Sequence, residues 1–137
     1  NEQHSSCIFE ELTSTLNFTI EQIFEKYPNA IMTDSTHIMC GHGGFLGDGF
    51  FFGYSWEIEN GFVKQSNYIA QYTDEYYQQQ EEIAKKEYGE GIDINGNGTM
   101  WNVVDKKGNA CGMCMINGNY NIIVFGVQVG FIEIPGL

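Results

Sequence analysis

The sequence predicts an α+β fold, in which two helices pack on an antiparallel sheet built from hairpins and a C-terminal three-stranded meander. Three observations support this prediction. Apolar residues recur at helical spacing near the N-terminus, and a charged segment with helix signals lies near the middle of the chain. Strand-like apolar segments, with Asn-Gly turn signals between them, follow each predicted helix. The length of 137 residues predicts a single domain, residues 1–137.

The first helix is predicted over residues 8–27. Its apolar residues share one helix face: Ile8, Phe9, Leu12, Leu16, Ile20, Ile23, Phe24 and Tyr27. Pro28 ends it, because proline disfavours helical backbone at the preceding residue. The pattern Thr19-x-x-Gln22 is a capping box, which allows the helix to break near Asn17.

The N-terminal strands are predicted from short apolar segments between turn residues. Residues 30–32 and 37–40 are two short candidates. Residues 50–72 predict a longer hairpin, because Asn60-Gly61 at its middle is the strongest short hairpin signal. The glycine-rich segment 41–49 between them predicts an irregular loop.

The second helix is predicted over residues 74–88, because Thr73 can cap its start and Gly89 can end it. A loop over residues 92–98 follows. The C-terminal meander then has three predicted strands, over residues 100–105, 110–116 and 120–134. A PAS-like, profilin-like or roadblock-like arrangement satisfies this order of elements.

The charge composition excludes several classes of partner. The chain has 18 acidic and 6 basic residues, a net charge of −12, and no arginine. Phosphates and carboxylates are usually bound by guanidinium groups or basic patches, and a negative field repels nucleic acid and anionic lipid. No segment approaches the roughly 18 apolar residues of a membrane span. We therefore expect no nucleic-acid partner and no membrane span.

The cysteines and two sequons predict a secreted glycoprotein with disulfides. An even number of cysteines in a small acidic chain favours structural bridges: Cys7, Cys40, Cys111 and Cys114. Cys111 and Cys114 are three residues apart in a predicted strand, so they should point to opposite faces and pair with the other two. Sequons at Asn17 and Asn97, and a start without methionine, also favour an extracellular or extracytoplasmic location.

We expect the protein to bind no cofactor, and the alternatives to this expectation are a metal site or a reactive thiol. One zinc set combines two Cys/His clusters: His37, Cys40, His42, Cys111 and Cys114. It would make the protein a cytosolic zinc or thiol protein, and Cys40 with a neighbouring histidine is also a candidate nucleophile. Residues 93–99 open like a calcium loop, but its twelfth position, which requires a bidentate acid, is Val104. With no ordered triad and no paired carboxylates, we predict that the protein is not an enzyme.

The leading functional hypothesis is binding of a protein partner, or self-assembly into a homo-oligomer, through aromatic and apolar surface. The candidate residues surround the glycine loop and the C-terminal strand: Phe45, Phe50, Phe52, Trp56, Phe125 and Phe131. The alternative interpretation of these six aromatic residues is that they pack in the protein's own core. The last strand is nearly continuous in apolar residues, so it either lies centrally in its own sheet or extends a neighbour's sheet. A PAS-like sensor enclosing a small apolar ligand is another alternative.

Overall fold

The computed structural model describes residues 7–41 and 52–133 of the chain. The described residues form three α-helices: α1 (Ile8–Ser14), α2 (Ile20–Lys26) and α3 (Asp74–Tyr88). They also form eight strands: β1 (Ile31–Asp34), β2 (His37–Gly41), β3 (Gly53–Glu59), β4 (Phe62–Gln71), β5 (Ile92–Asp93), β6 (Gly98–Val104), β7 (Ala110–Asn117) and β8 (Ile122–Val129). The predicted α+β class is therefore confirmed. None of these helices is long and apolar enough to cross a membrane.

The eight strands make one antiparallel sheet in the order β1-β2-β3-β4-β8-β7-β6-β5. Two four-stranded meanders, β1–β4 and β5–β8, meet where β4 pairs with β8. At the centre of this seam Tyr68 lies opposite Phe125. The last strand is thus hydrogen-bonded on both sides, as one of the two predictions for it required.

The predicted first helix is broken into α1 and α2 at residues 15–18. Thr19 accepts a hydrogen bond from the Gln22 backbone N–H through its hydroxyl (3.2 Å), and its own N–H donates to Gln22 Oε1 (2.8 Å). This capping box begins a new helix. Asn17, at φ +67°, makes the turn before it, because asparagine tolerates left-handed backbone. The helix therefore breaks where the sequence allows it.

The other local signals predicted their elements well. Asn60 and Gly61 both have positive φ (55° and 85°), as a tight hairpin turn requires. The hydroxyl of Thr73 accepts from the Tyr76 N–H (3.3 Å) to begin α3, and Gly89 at φ +98° ends it. These features match the predicted hairpin and second helix.

Two predicted boundaries are wrong. Residues 92–93 pair with β6 as a short strand, so the C-terminal meander has four strands rather than three. The last strand ends at Val129 rather than at residue 134, because Gly130 has φ +86° and turns the chain away from the strand direction. Residues 130–133, named the strap below, follow this turn.

All three helices pack on the same face of the sheet, named the helix-facing face. Phe9 of α1 is fully buried, and its ring makes edge contacts with Trp101 and Phe125 from the sheet (centroids 5.6 and 5.9 Å apart). Thr15 joins the helix layer to the sheet, because its hydroxyl accepts from Trp56 Nε1 (3.2 Å) and bonds with Ser66 Oγ (2.8 Å). The core lies on this face, and the opposite face is named the helix-free face.

Candidate binding surface

The four cysteines are free thiols, so the structure shows no disulfide. Cys40 is on β2 and Cys111 on β7, and four interstrand steps place these strands about 19 Å apart, whereas a disulfide needs Cα atoms within about 7 Å. Cys114 points to the opposite face from Cys111, where it lies beside Gly126. Any two bridges among the four cysteines include Cys40–Cys111, Cys40–Cys114 or Cys111–Cys114. The first two pairs are too far apart because both partners of Cys40 are on β7, and the third pair points to opposite faces. The predicted pair of disulfides therefore does not form in this fold.

The buried thiols are poor nucleophiles. Burial raises the pKa of Cys7 and of Cys111 to about 11, and it also raises the pKa of Cys114. At Cys111 the carboxylate of Asp105, whose Oδ2 lies 3.9 Å from Sγ, adds to the increase. Reactive cysteines have a lowered pKa, so these three side chains behave as structural thiols at neutral pH.

The predicted zinc ligands are not brought together. Cys40 is four strands from Cys111, and the i, i+3 spacing of His37 and Cys40 directs their side chains to opposite faces. The His37 ring bonds instead with Asp34 Oδ1 (2.9 Å). The Thr36 N–H, and after it this His37 bond, lower the pKa of Asp34 to about 2. His42 lies outside the described residues. Within residues 7–41 and 52–133, no group of three or more acidic, cysteine or histidine side chains could hold a metal ion.

The calcium-like segment is a tight hairpin turn between β5 and β6. Asp93 Oδ2 accepts from the Gly96 N–H (2.8 Å), so its carboxylate stabilises the turn itself. Val104, at the position where a bidentate acid is required, is at the far end of β6. The turn geometry agrees with an ordinary Asx turn.

Both sequon asparagines are exposed on turns. Asn17 lies between α1 and α2, and Asn97 lies between β5 and β6. The hydroxyl of Thr99 in the second sequon is buried and donates to Glu81 Oε2 (2.9 Å). Both asparagines are thus accessible in the folded protein, and their glycosylation stays a prediction.

The aromatic candidates separate into core and surface residues. Trp56 and Phe125 are 1% and 0% exposed, so in this fold they belong to the core, as the alternative interpretation stated. Phe52 is half-buried, and Phe131 on the strap is 53% exposed. The remaining two candidates, Phe45 and Phe50, lie outside the described residues.

The helix-free face carries an apolar strip across the central strands. Ile69, Val124 and Ile116 are cross-strand neighbours on β4, β8 and β7, and each is half-buried. No helix of the described chain packs on them. Half-buried aliphatic side chains on a face without helices form a surface suited to an apolar partner.

A polar row runs parallel to the apolar strip. Glu57, Gln65 and Gln128 are cross-strand neighbours on β3, β4 and β8, and the row continues through Gly112 on β7 to Asn102 on β6. Carboxamide groups offer both donors and acceptors, which suits them to bind peptide backbone. In the sequence, the only indication of the polar row is Gln128, which interrupts an apolar segment. Nothing in the sequence indicates the role of Asn102.

Four cross-strand neighbours lie between the apolar strip and the polar row: Ser55, Asn67, Gly126 and Cys114. At Gly126, a Cβ atom would come within 3.0 Å of Asn67 Oδ1 and 3.6 Å of Cys114 Sγ. Asn67 in turn donates to Ser55 Oγ (3.4 Å). The side chains of Asn67 and Cys114 therefore lie beside Gly126 on the helix-free face.

The strap lies on the helix-free face. Asn102 Nδ2 donates to the Ile132 carbonyl (3.0 Å), and the Ile132 N–H donates to Asn102 Oδ1 (2.7 Å). Ile132 covers Gly112, where a Cβ atom would come within 2.3 Å of its Cγ1. Gln128 Nε2 donates to the carbonyls of Gly130 (3.4 Å) and Phe131 (3.3 Å). The polar row therefore already binds one peptide segment, from its own chain.

A groove of about 480 Å³ opens on the other side of the molecule, between α1, the end of α3 and the β6–β7 hairpin. Tyr88, Val103 and Met113 form apolar parts of its lining, and Glu10 and Glu87 contribute carboxylates. Burial is the main cause of the raised pKa of Tyr88, and these two carboxylates add to it. The groove is large enough for a small ligand.

Comparison of the chain with protein-family models, with curated proteins and with solved structures finds no match.

Proposed function

We propose that the protein is a non-enzymatic binding module that holds an extended polypeptide segment of a partner on its helix-free face. The observation that carries the proposal is the strap, a peptide segment already bound to the polar row through its backbone. The apolar strip beside the row adds a surface for aliphatic side chains. Backbone hydrogen bonds combined with side-chain contacts are the usual basis of peptide recognition on a sheet.

Charge favours a partner other than a second copy of the chain. Two molecules that each carry a net charge of −12 repel one another, whereas a basic polypeptide is attracted and a neutral one is not repelled. Self-assembly therefore stays a separate prediction. Sedimentation equilibrium at low and high salt checks it: a monomer under both conditions contradicts self-assembly, and a dimer that forms as salt screens the charges supports it.

The test of the proposed function is selection from a random peptide library on the immobilised protein. Selected peptides should bind the wild type and lose at least about ten-fold in affinity, about 1.4 kcal/mol, with Val124→Lys on the apolar strip. Gln79→Lys, exposed on α3, makes the same charge change and should leave binding intact. Ile69→Gln provides a second variant of the face if Val124→Lys folds poorly.

Two outcomes of this selection would contradict the proposal. One is the absence of any selected peptide that binds the soluble protein. The other is a set of peptides that bind equally well to both lysine variants, which would place their binding surface elsewhere.

A PAS-like sensor that binds a small apolar ligand is the second candidate function. The groove beside Tyr88 and Met113 favours it, because its apolar lining and volume suit a small molecule. Native mass spectrometry of protein from its source should then show a bound species, and Thr13→Trp at the groove wall should remove it. Bare polypeptide in every preparation would contradict this candidate.

We also propose that the module acts outside the cytoplasm. Support comes from the two exposed sequon asparagines, Asn17 and Asn97, and not from disulfides. Expression through a eukaryotic secretory pathway should give a mass increase that a glycosidase removes and that Asn17→Gln and Asn97→Gln together prevent. An unmodified secreted chain would leave the location without this support.

A further inference from the structure

The strap is bound mainly through its backbone. One carboxamide, that of Asn102, satisfies both the N–H and the carbonyl of Ile132, as a neighbouring strand would. The flanking strap side chains contribute little, because Phe131 is 53% exposed and Glu133 is exposed. At the two flanking positions the site therefore contacts the backbone and not the side chains.

One position of the site selects for a side chain. Ile132 lies against Gly112, where the absence of a Cβ lets an aliphatic group reach the strand backbone. A residue larger than glycine at position 112 would occupy the same space. The preferred segment is thus extended and carries an aliphatic residue between two positions of free choice.

The strap is joined to the sheet by a turn that permits release. Gly130 at φ +86° has a conformation that glycine adopts at little cost, and β8 ends one residue before it. At its start the strap is held to β7, because the Gly130 N–H donates to the Ala110 carbonyl (2.9 Å). The pairing of β8 with β4 and β7 does not involve residues 131–133. Release of residues 131–133 therefore leaves these strand pairs intact, and segments with few buried apolar contacts open at low free-energy cost.

We infer that the strap is an autoinhibitory segment, and that an extended peptide of a partner displaces it from Asn102, Gly112 and Gln128. This inference rests on the proposed function, since it names the chemistry of the partner and the control of the same face. A peptide can bind only to molecules whose strap is open, so its apparent affinity is the intrinsic affinity multiplied by the open fraction. Loss of strap contacts increases that fraction.

The test uses the full-length chain and a fluorescein-labelled peptide of the sequence Val-Gly-Phe-Ile-Glu-Ile with blocked ends. Ile132→Asp weakens the strap and leaves the site unchanged, so anisotropy should show about ten-fold tighter peptide binding than for the wild type. Gly112→Val combined with Ile132→Asp fills the site and should abolish binding. Asn102→Ala combined with Ile132→Asp provides a second loss of the site if the valine variant fails to fold.

The possible results separate the two proposals. Equal peptide affinity for wild type and Ile132→Asp, or binding that survives both changes to the site, overturns the autoinhibitory role. If library peptides still require Val124 in that case, the proposed function stands without the strap. If neither the labelled peptide nor any library peptide binds, both proposals are contradicted.

Discussion

The two faces of this sheet are built from alternate residues of the same strands, yet they differ in almost every respect. On β8, Phe125 is fully buried under the helices, whereas its neighbours Val124 and Gly126 face the helix-free side. Large aromatic residues are concentrated on the helix-facing face, and aliphatic, glycine and carboxamide residues on the other. The aromatic residues that stand out in the sequence therefore form the core, and the proposed binding surface consists of small, aliphatic and carboxamide residues.

Truncation of neighbouring residues on β8 gives the largest expected difference between the faces. Phe125→Ala should lower the free energy of unfolding by about 3–5 kcal/mol, because it leaves a cavity beside Phe9 and Tyr68. Val124→Ala should cost about 1 kcal/mol, because the side chain is only half-buried. Urea unfolding measures both values. Equal losses would mean that the helix-free face is a second core.

Local signals predicted most of the secondary structure, since turns and caps depend on adjacent residues. Asn60-Gly61, Thr19 and Gly89 each predicted the correct boundary because their backbone preferences act within a few positions. The alternation along each strand does not say which face the helices cover. Nor does any local signal indicate that Asn102 binds a residue 30 positions away. The candidate site was therefore missed.

Each face has a small cluster of hydrogen-bonded side chains, and removal of each cluster should lower the free energy of unfolding by a different amount. Thr15→Val should cost about 1–3 kcal/mol, because it leaves Trp56 Nε1 and Ser66 Oγ without their buried partner. Asn67→Ala removes the cluster on the helix-free face and should cost about 0.5 kcal/mol, since water can replace a bond at a half-buried site. A larger loss for Asn67→Ala would show that water does not reach this side chain.

Alkaline pH should destabilise the helix-facing side. Burial raises the pKa of Tyr76 and of Tyr77 to about 12 and that of Cys7 to about 11. In the unfolded chain these groups ionise near pH 9 to 10, so their own contribution to stability is constant below pH 9 and falls as pH rises towards 12. Thermal unfolding at stepped pH, followed by phenolate absorbance, should show both changes together. Ionisation without loss of stability would contradict the assignment.

Thiol labelling of the unmutated protein should distinguish the two faces by the rate at which each cysteine reacts. Cys111 is 1% exposed beneath the helices, whereas Cys114 is half-buried on the helix-free face. Iodoacetamide at pH 8 should modify Cys114 before Cys111, although both thiols react slowly because burial raises their pKa. Peptide mass spectrometry over time gives the order. Faster labelling of Cys111 would show that the helix layer opens readily.

The pairing of β4 with β8 has a consequence for how the chain folds during synthesis. Gln65 lies opposite Gln128 although about 60 residues separate them, so this seam closes only after β8 has been synthesised. The first meander can form earlier, because its four strands lie within residues 31–71. Until β8 emerges, β4 is an open strand edge on a nascent chain, and this is the stage at which pairing with another chain competes with correct folding.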